Sequence, residues 1–200
     1  TMRQAYDLNE WTLEFNVNMS ELGKGLGELN NQALFGAWGS NGGEIYTRFG
    51  DAPIEGNRLQ IKTQGTQMNS KMLFDAKKWY HIAFVCTGTK LYLYVNGVLD
   101  NSMSLPGNAT NIASPINFGN TDYLRADVKV SELRFWTKAR TQAQVLNNMY
   151  ACDPKSDGLE AYWKLNEGQG DTFADATGHG NTGKCVAVPD WEQNVRIDGK

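Results

Sequence analysis

Between Trp79 and Asp100 the chain reads WYHIAFVCTGTKLYLYVNGVLD. Two runs, Trp79–Thr87 and Leu91–Val95, are rich in aromatic and β-branched residues. Such side chains suit a pleated, half-buried surface. The cluster Thr87-Gly88-Thr89-Lys90 separates them as a turn, and Asn96-Gly97 follows the second run. Asn and Gly most readily take the positive φ that a two-residue hairpin loop requires. Val98 and Leu99 then open a further strand. Along the middle strand Leu91, Leu93 and Val95 share one face, and Tyr92 and Tyr94 the other. Both faces are apolar or amphipathic. The pattern predicts a central strand with one face in a core and the other under a ligand or a neighbouring layer.

The rest of the chain extends the sheet. Trp11, Leu13, Phe15, Val17 and Met19 alternate with Glu10, Thr12, Glu14, Asn16 and Asn18. This predicts a strand over residues 9–19 with one buried and one wet face. Further strands are expected at 33–38, 44–49, 59–63, 71–74, 115–118, 128–136, 158–165 and 195–198. One helix signal is present: Thr141-Gln142-Ala143-Gln144 has the spacing of a capping box, with Val145, Leu146 and Met149 as its apolar side. Turns rest on Gly and Asn, since the chain has 21 Gly but only 5 Pro. Many short strands joined this way predict an all-β, two-sheet antiparallel β-sandwich or jelly roll with one short helix. No internal repeat or low-complexity tract interrupts it.

Charge narrows the partners. The net charge of -3 comes without a dense basic run, which argues against nucleic acid and anionic membrane. No apolar stretch is long enough to span a bilayer. The chain shows no signal-peptide pattern and begins at Thr1, so it reads as a mature product or a piece of a longer protein. Cys86 falls mid-strand and reads as a small buried hydrophobe. Cys152 and Cys185 flank a Gly-rich block and are expected unpaired, although sequence leaves a bridge open.

Three blocks carry a family resemblance. They are the hairpin just described, VSELRFWTKARTQAQV over 130–145, and GLEAYWKLNEGQGDTFADATGHGNTG over 158–183. Together they resemble the laminin G-like, concanavalin A-like superfamily of lectins and glucanases, of the type found in bacterial glycan-utilisation proteins. The resemblance implies a concanavalin A-like sandwich. Its block order looks permuted: the Tyr-Trp-Lys-Leu block usually comes first in the family and here comes last. Residues 191–199 resemble the strand that usually follows that block. Residues 1–200 are expected to form one domain, because about 43 residues from Gly158 onward would be marginal as a separate core. A second module beginning there is the alternative.

Glucanases of this fold set acidic residues at alternate strand positions, and neither Glu-x-Asp-x-x-Glu nor Glu-x-Asp-x-Glu occurs. Glu10 and Glu14 share a strand face, but four residues of strand span ~13 Å. Paired glycosidase carboxylates stand ~5–9.5 Å apart. Both are expected to be exposed charges on the wet face. Glu132 and Glu160 are strand-borne acids with nothing pairing them in sequence. His81 reads as structural and His179 as a turn residue. The two histidines and three cysteines have no zinc spacing. The glycines at 23, 25 and 27 lack a phosphate loop's strand–helix context. No catalytic residue is nominated and the chain is not expected to be an enzyme, with a glycoside hydrolase kept as a further alternative.

The resemblance therefore implies a non-catalytic carbohydrate-binding module of a secreted, periplasmic or cell-surface bacterial protein. The alternative is a structural or protein-interaction spacer, and flanking domains would suit either. Sugars are gripped by aromatic rings against their apolar faces and by polar side chains on their hydroxyls. Candidate ligand-binding residues are Trp38 with Asn41, Tyr46 with Arg48 and Asp51, Asn57 with Arg58, and Asp122 with Tyr123 and Arg125. Trp11, Trp79, Trp136 and Trp163 read as core. Calcium is a frequent companion of this family on rim loops, and Asp171, Asp175 and Asn181 are its candidate ligands here. The competing reading, preferred for Asp175 and Asn181, is that they stabilise turns by bonding nearby backbone.

Overall fold

The computed structural model describes residues 2–22, 32–37, 45–51, 54–112, 116–118, 120–121, 124–125, 127–185 and 189–192. The first strands are β1 (Tyr6–Leu8), β2 (Glu10–Met19), β3 (Gln32–Ala37), β4 (Ile45–Asp51), β5 (Ile54–Thr63) and β6 (Thr66–Asn69). Next come β7 (Trp79–Thr87), β8 (Lys90–Val95), β9 (Val98–Ser104), β10 (Thr110–Ile112), β11 (Asn117–Phe118), β12 (Asn120–Thr121) and β13 (Leu124–Arg125). The chain continues through β14 (Val128–Trp136), helix α1 (Gln142–Asn147), β15 (Leu159–Trp163), β16 (Thr172–Phe173) and β17 (Gly183–Lys184).

Two antiparallel sheets dominate. One has the order β15-β14-β2-β7-β8-β9 and the other β11-β3-β4-β5-β6. Their facing sides build one core. Trp11, Leu13, Phe15 and Val17 of β2, with Ile82, Phe84, Leu91 and Leu93, meet Leu34, Phe35, Ile45, Phe49, Leu59 and Ile61. The expected sandwich is therefore the observed one. The hairpin also forms as expected: Val95 pairs with Val98 across Asn96 (φ 50°) and Gly97 (φ 75°), the twin positive angles of a tight hairpin loop.

The face of β2 expected to be wet is covered. Thr12, Glu14 and Asn16 are buried, while only Glu10 of that strand is exposed. The segment after β14 lies across them. The Thr12 hydroxyl donates to the Lys138 carbonyl and accepts the Arg140 N–H, and Asn16 Nδ2 donates to the Met149 carbonyl. In the same layer Val145 of α1 packs against Ala83, Val85 and Tyr94. The neighbouring layer expected over the tyrosine face of β8 is thus this short helix. Its capping box is present as read: the Thr141 side chain accepts the Gln144 N–H, and Gln144 returns a carboxamide oxygen to the Thr141 N–H.

One predicted strand is displaced. Residues 71–74 are irregular, and the strand is instead β6, turned back on β5 at Gln64 (φ 50°) and Gly65 (φ 72°). The Ser70 N–H still bonds the Leu59 carbonyl, and beyond it the backbone finds side-chain partners rather than a ladder. Asp100 accepts the N–H groups of Lys71 and Met72, and Arg58 Nη1 donates to the carbonyls of Ser70 and Lys71. The strand expected at 195–198 lies outside the described residues.

The late block joins the six-stranded sheet, with β15 hydrogen-bonded to β14. Arg3 bonds both carboxylate oxygens of Glu160 on β15, and its N–H donates to Asn181 Oδ1. Cys86, Cys152 and Cys185 are all free, with Cys86 buried as expected. No described helix is long and apolar enough to cross a membrane.

Candidate functional site: the outer face of the five-stranded sheet

Strand alternation creates a polar ladder on this face. Leu59 and Ile61 point into the core, so Gln60 and Lys62 point away from it; on β4, Tyr46 and Arg48 do the same between Ile45 and Phe49. The register sets Tyr46 opposite Lys62, Arg48 opposite Gln60, Gln60 opposite Asn69 and Lys62 opposite Gln67. Arg48 Nε donates to Gln60 Oε1 at 2.7 Å, and Gln60 Nε2 donates to Asn69 Oδ1 at 3.0 Å. The Arg48 guanidinium carbon lies 5.5 Å from the centre of the Tyr46 ring. Gln60 and Tyr46 are buried at the floor, Arg48 and Asn69 are half-buried, and Lys62 and Gln67 are exposed. Asn101 Nδ2 donates to the Asn69 carbonyl and ties the ladder to β9 of the other sheet.

The result is a row of planar amide and guanidinium groups with fixed orientation beside an aromatic ring. Side-chain bonds lock their rotamers, so a ligand meeting them faces little ordering cost. Chemically the row suits a polyol, whose hydroxyls both donate and accept and whose C–H face matches a ring.

The structure brings two of the nominated ligand residues, Tyr46 and Arg48, into this row. Trp38, Asn41, Asp122 and Tyr123 lie outside the described residues. Asp51 ends β4 and Arg125 ends β13. Arg58 and Asn57 stand beside the loop after β6: Arg58 donates to the carbonyls of Ser70 and Lys71, and the Asn57 backbone carbonyl accepts the Phe74 N–H at 2.9 Å. Gln60, Lys62, Gln67 and Asn69 were not nominated. Their signal was the alternation Leu-Gln-Ile-Lys on β5, which turns polar groups outward at every second residue.

Asp175 and Asn181 have the turn-building role. Asp175 Oδ1 accepts from the N–H groups of Tyr162 and Thr177 and from the Thr177 hydroxyl, and Oδ2 accepts from Asn181 N and Nδ2. Burial alone would raise the Asp175 carboxyl, but these bonds hold it below its ordinary value. Asn181 Oδ1 accepts the Arg3 N–H, and its Nδ2 also donates to the Glu160 carbonyl. Asp171 stands apart from this knot, 3.7 Å from Lys184 Nζ. Among the described residues no three His, Cys, Asp or Glu side chains come together as a metal group.

The strand acids are tied into the scaffold. Glu14, expected on the surface, is fully buried on the opposite sheet. Its Oε1 accepts from Trp136 Nε1 at 2.8 Å and Arg140 Nη1 at 2.7 Å, with Arg134 Nε 3.5 Å away. His81 Nε2 lies 3.5 Å from its Oε2. The register slip in β14 between Ser131 and Arg134 sets Arg134 directly opposite Glu14. Burial alone would raise the Glu14 carboxyl, yet Arg134, His81 and Arg140 bring it down to about 2. Burial lowers the pKa of His81 and so favours its neutral form, with Glu14 opposing in part. Glu132, on that slip with φ 56°, accepts from the Tyr162 hydroxyl; its own pKa is raised chiefly by burial. These carboxylates hold elements together rather than face an open cleft.

Two facing antiparallel sheets, one carrying a polar ladder on its outer side, define a concanavalin A-like sandwich. The chain belongs to that family: the model described as the Concanavalin A-like lectin/glucanases superfamily matches residues 3–146. A Bacteroides ovatus structure described as a "putative carbohydrate binding protein" is 24% identical with a TM-score of 0.79. That match covers 94% of this chain and 55% of the other, so the chain spans about half its length. A heptameric SAP-like pentraxin from Limulus polyphemus is 16% identical over 72% of each chain, TM-score 0.50. The ligand binding domain of botulinum neurotoxin serotype D, in complex with N-acetylneuraminic acid, is 14% identical over 72% of this chain and 37% of its own, TM-score 0.52. At these identities the likeness is one of fold. No curated protein matches the chain.

Proposed function

We propose that residues 1–200 form one non-catalytic carbohydrate-binding module that receives its glycan on the outer face of the five-stranded sheet. The observation that carries this reading is the hydrogen-bonded row Arg48–Gln60–Asn69 beside the Tyr46 ring. Arg48 and Asn69, both half-buried, meet sugar hydroxyls, Tyr46 and Gln60 form the floor beneath them, and Lys62 and Gln67 form the rim. The Bacteroides neighbour's description and the sialic acid complex of the neurotoxin domain support a glycan as the ligand class. The ties from Arg3 to Glu160 and Asn181 support a single domain with permuted block order. The setting we propose is a secreted, periplasmic or cell-surface bacterial protein, with the Bacteroides neighbour as its support.

A glycan array read with and without calcium tests the module, followed by calorimetry on its best hit. Arg48→Ala should weaken binding by roughly tenfold to a hundredfold, the range for lost hydrogen bonds to a charged group. Arg48→Lys should not restore it, because an ammonium lacks the planar fork. Unchanged affinity in Arg48→Ala and Tyr46→Ala, with folding intact by circular dichroism, would remove the site. Absence of any hit under both conditions would favour a spacer domain.

A further inference from the structure

We propose that the side of the sandwich around the β8–β9 hairpin is an interface covered by a second copy of this chain. This interface stands independently of the sheet-face reading. Among the described residues six large hydrophobic side chains are exposed, and five of them gather here: Met72, Leu73, Val98, Leu99 and Leu146. Exposed hydrophobics scattered singly need no explanation, but a contiguous group marks an interaction surface.

Three sets of contacts draw the five together. Leu146 of α1 rests on the hairpin turn, where a Cβ on Gly97 would stand 2.5 Å from Leu146 Cδ1, and Gln142 Nε2 donates to the Gly97 carbonyl at 3.0 Å. Val98 and Leu99 follow that turn directly, and Leu99 lies opposite Tyr94, on the face that α1 covers. The register slip in this hairpin leaves Asp100 unpaired. Its carboxylate accepts the N–H groups of Lys71 and Met72, each at 2.8 Å, which brings Met72 and Leu73 up to β9. As the last strand of its sheet, β9 has no strand beyond it.

Area and charge select the occupant. The five residues are 37–64% exposed and present roughly 400 Å² of largely apolar surface, a patch size that is often functional. At the apolar share of an ordinary interface, about 57%, that patch belongs to a footprint of roughly 700 Å² per partner. A standard interface uses about 800 Å² per partner, so a second copy of the same patch suffices for a weak dimer. Lys71 and Asp100 bring one base and one acid to the patch. A two-fold axis sets the patch against itself, so Lys71 of each copy can meet Asp100 of the other. A partner carrying a single sign of charge would meet one of the two unfavourably.

Sedimentation velocity of the whole chain from ~10 µM to ~1 mM tests the interface. The chain should pass from monomer to dimer with a Kd of roughly 10–100 µM, as an interface at the low end of standard size allows. Nitrogen-15 correlation spectra at the two ends of that range should differ at residues 71–73, 97–100 and 146. Val98→Lys and Leu73→Lys replace side chains already in contact with water, and each should weaken association at least about tenfold with circular dichroism unchanged. Lys71→Glu should weaken it in the same sense, because two acids then face each other across the axis. A monomer throughout the range would overturn the dimer and give the patch to a different protein or domain. So would a dimer equally stable in all three variants, and so would concentration-dependent shifts confined to other surfaces.

Discussion

Replacing Glu14 by Gln keeps the shape of the side chain and removes one buried charge. Arg134 and Arg140 then remain beside it, both buried, and lose the carboxylate they share, with only Glu132 left to act on Arg134. Breaking a buried ion pair from one side costs about 3–5 kcal/mol. Domain stability is about 5–15 kcal/mol in all. At this chain length each kcal/mol moves Tm by about 2–4 °C, so Tm should fall by about 6–20 °C. The pH dependence should change as well. The folded Glu14 carboxyl titrates at about 2 against an ordinary 4.5. Its contribution is complete above the ordinary value and is lost as pH falls through the folded one. His81 acts in the same direction from higher pH: held neutral when folded, it takes up a proton more readily in the unfolded chain below 6.5. Urea titrations at a series of pH values would measure both effects. The wild type should lose stability steadily on acidification, and Glu14→Gln should start lower with a shallower loss below about pH 4.5. A variant within about 1 kcal/mol of wild type at neutral pH, or acid losses that run parallel, would refute the assignment of Glu14 as the hub.

Gly97→Ala should cost about 2–4 kcal/mol, through left-handed strain and a Cβ placed 2.5 Å from Leu146 Cδ1 and 3.1 Å from its Cα; urea midpoints would show it. Thr141→Ala removes the side-chain half of the capping box and should cost about 1 kcal/mol, visible as a Tm shift of a few degrees. Asn181→Ala breaks the bonds to the Arg3 N–H, the Glu160 carbonyl and Asp175, for about 2–3 kcal/mol. Limited proteolysis should then cut sooner near the first residues.

The sandwich was legible because its signals are local. Asn96-Gly97 specifies a turn, Trp11 to Met19 specifies a face, and Thr141 to Gln144 specifies a helix start, each within a few residues. What could not be read locally was which polar face would meet water. Glu14 and Asn16 alternate with core residues as surface residues do, yet a segment more than a hundred residues later covers them. The strand at β6 was missed because residues 71–74 look more apolar, whereas the Gln64-Gly65 turn decides the register. Tyr46 and Arg48 were found by chemistry, but Gln60 and Asn69 became partners only through cross-strand register, which is a long-range property.

The pairing of β15 with β14 bears on how this domain can be cut. A fragment ended at residue 146, where the family match stops, would lose the strand that covers β14. The backbone beside Leu133, Arg134 and Phe135 would then lie open along the sheet margin, next to a core that includes Leu133 and Phe135. An open, apolar margin of this kind recruits strands from other copies. Such a fragment should self-associate and precipitate, so the last quarter of the chain serves as a cover strip that keeps the sandwich from polymerising.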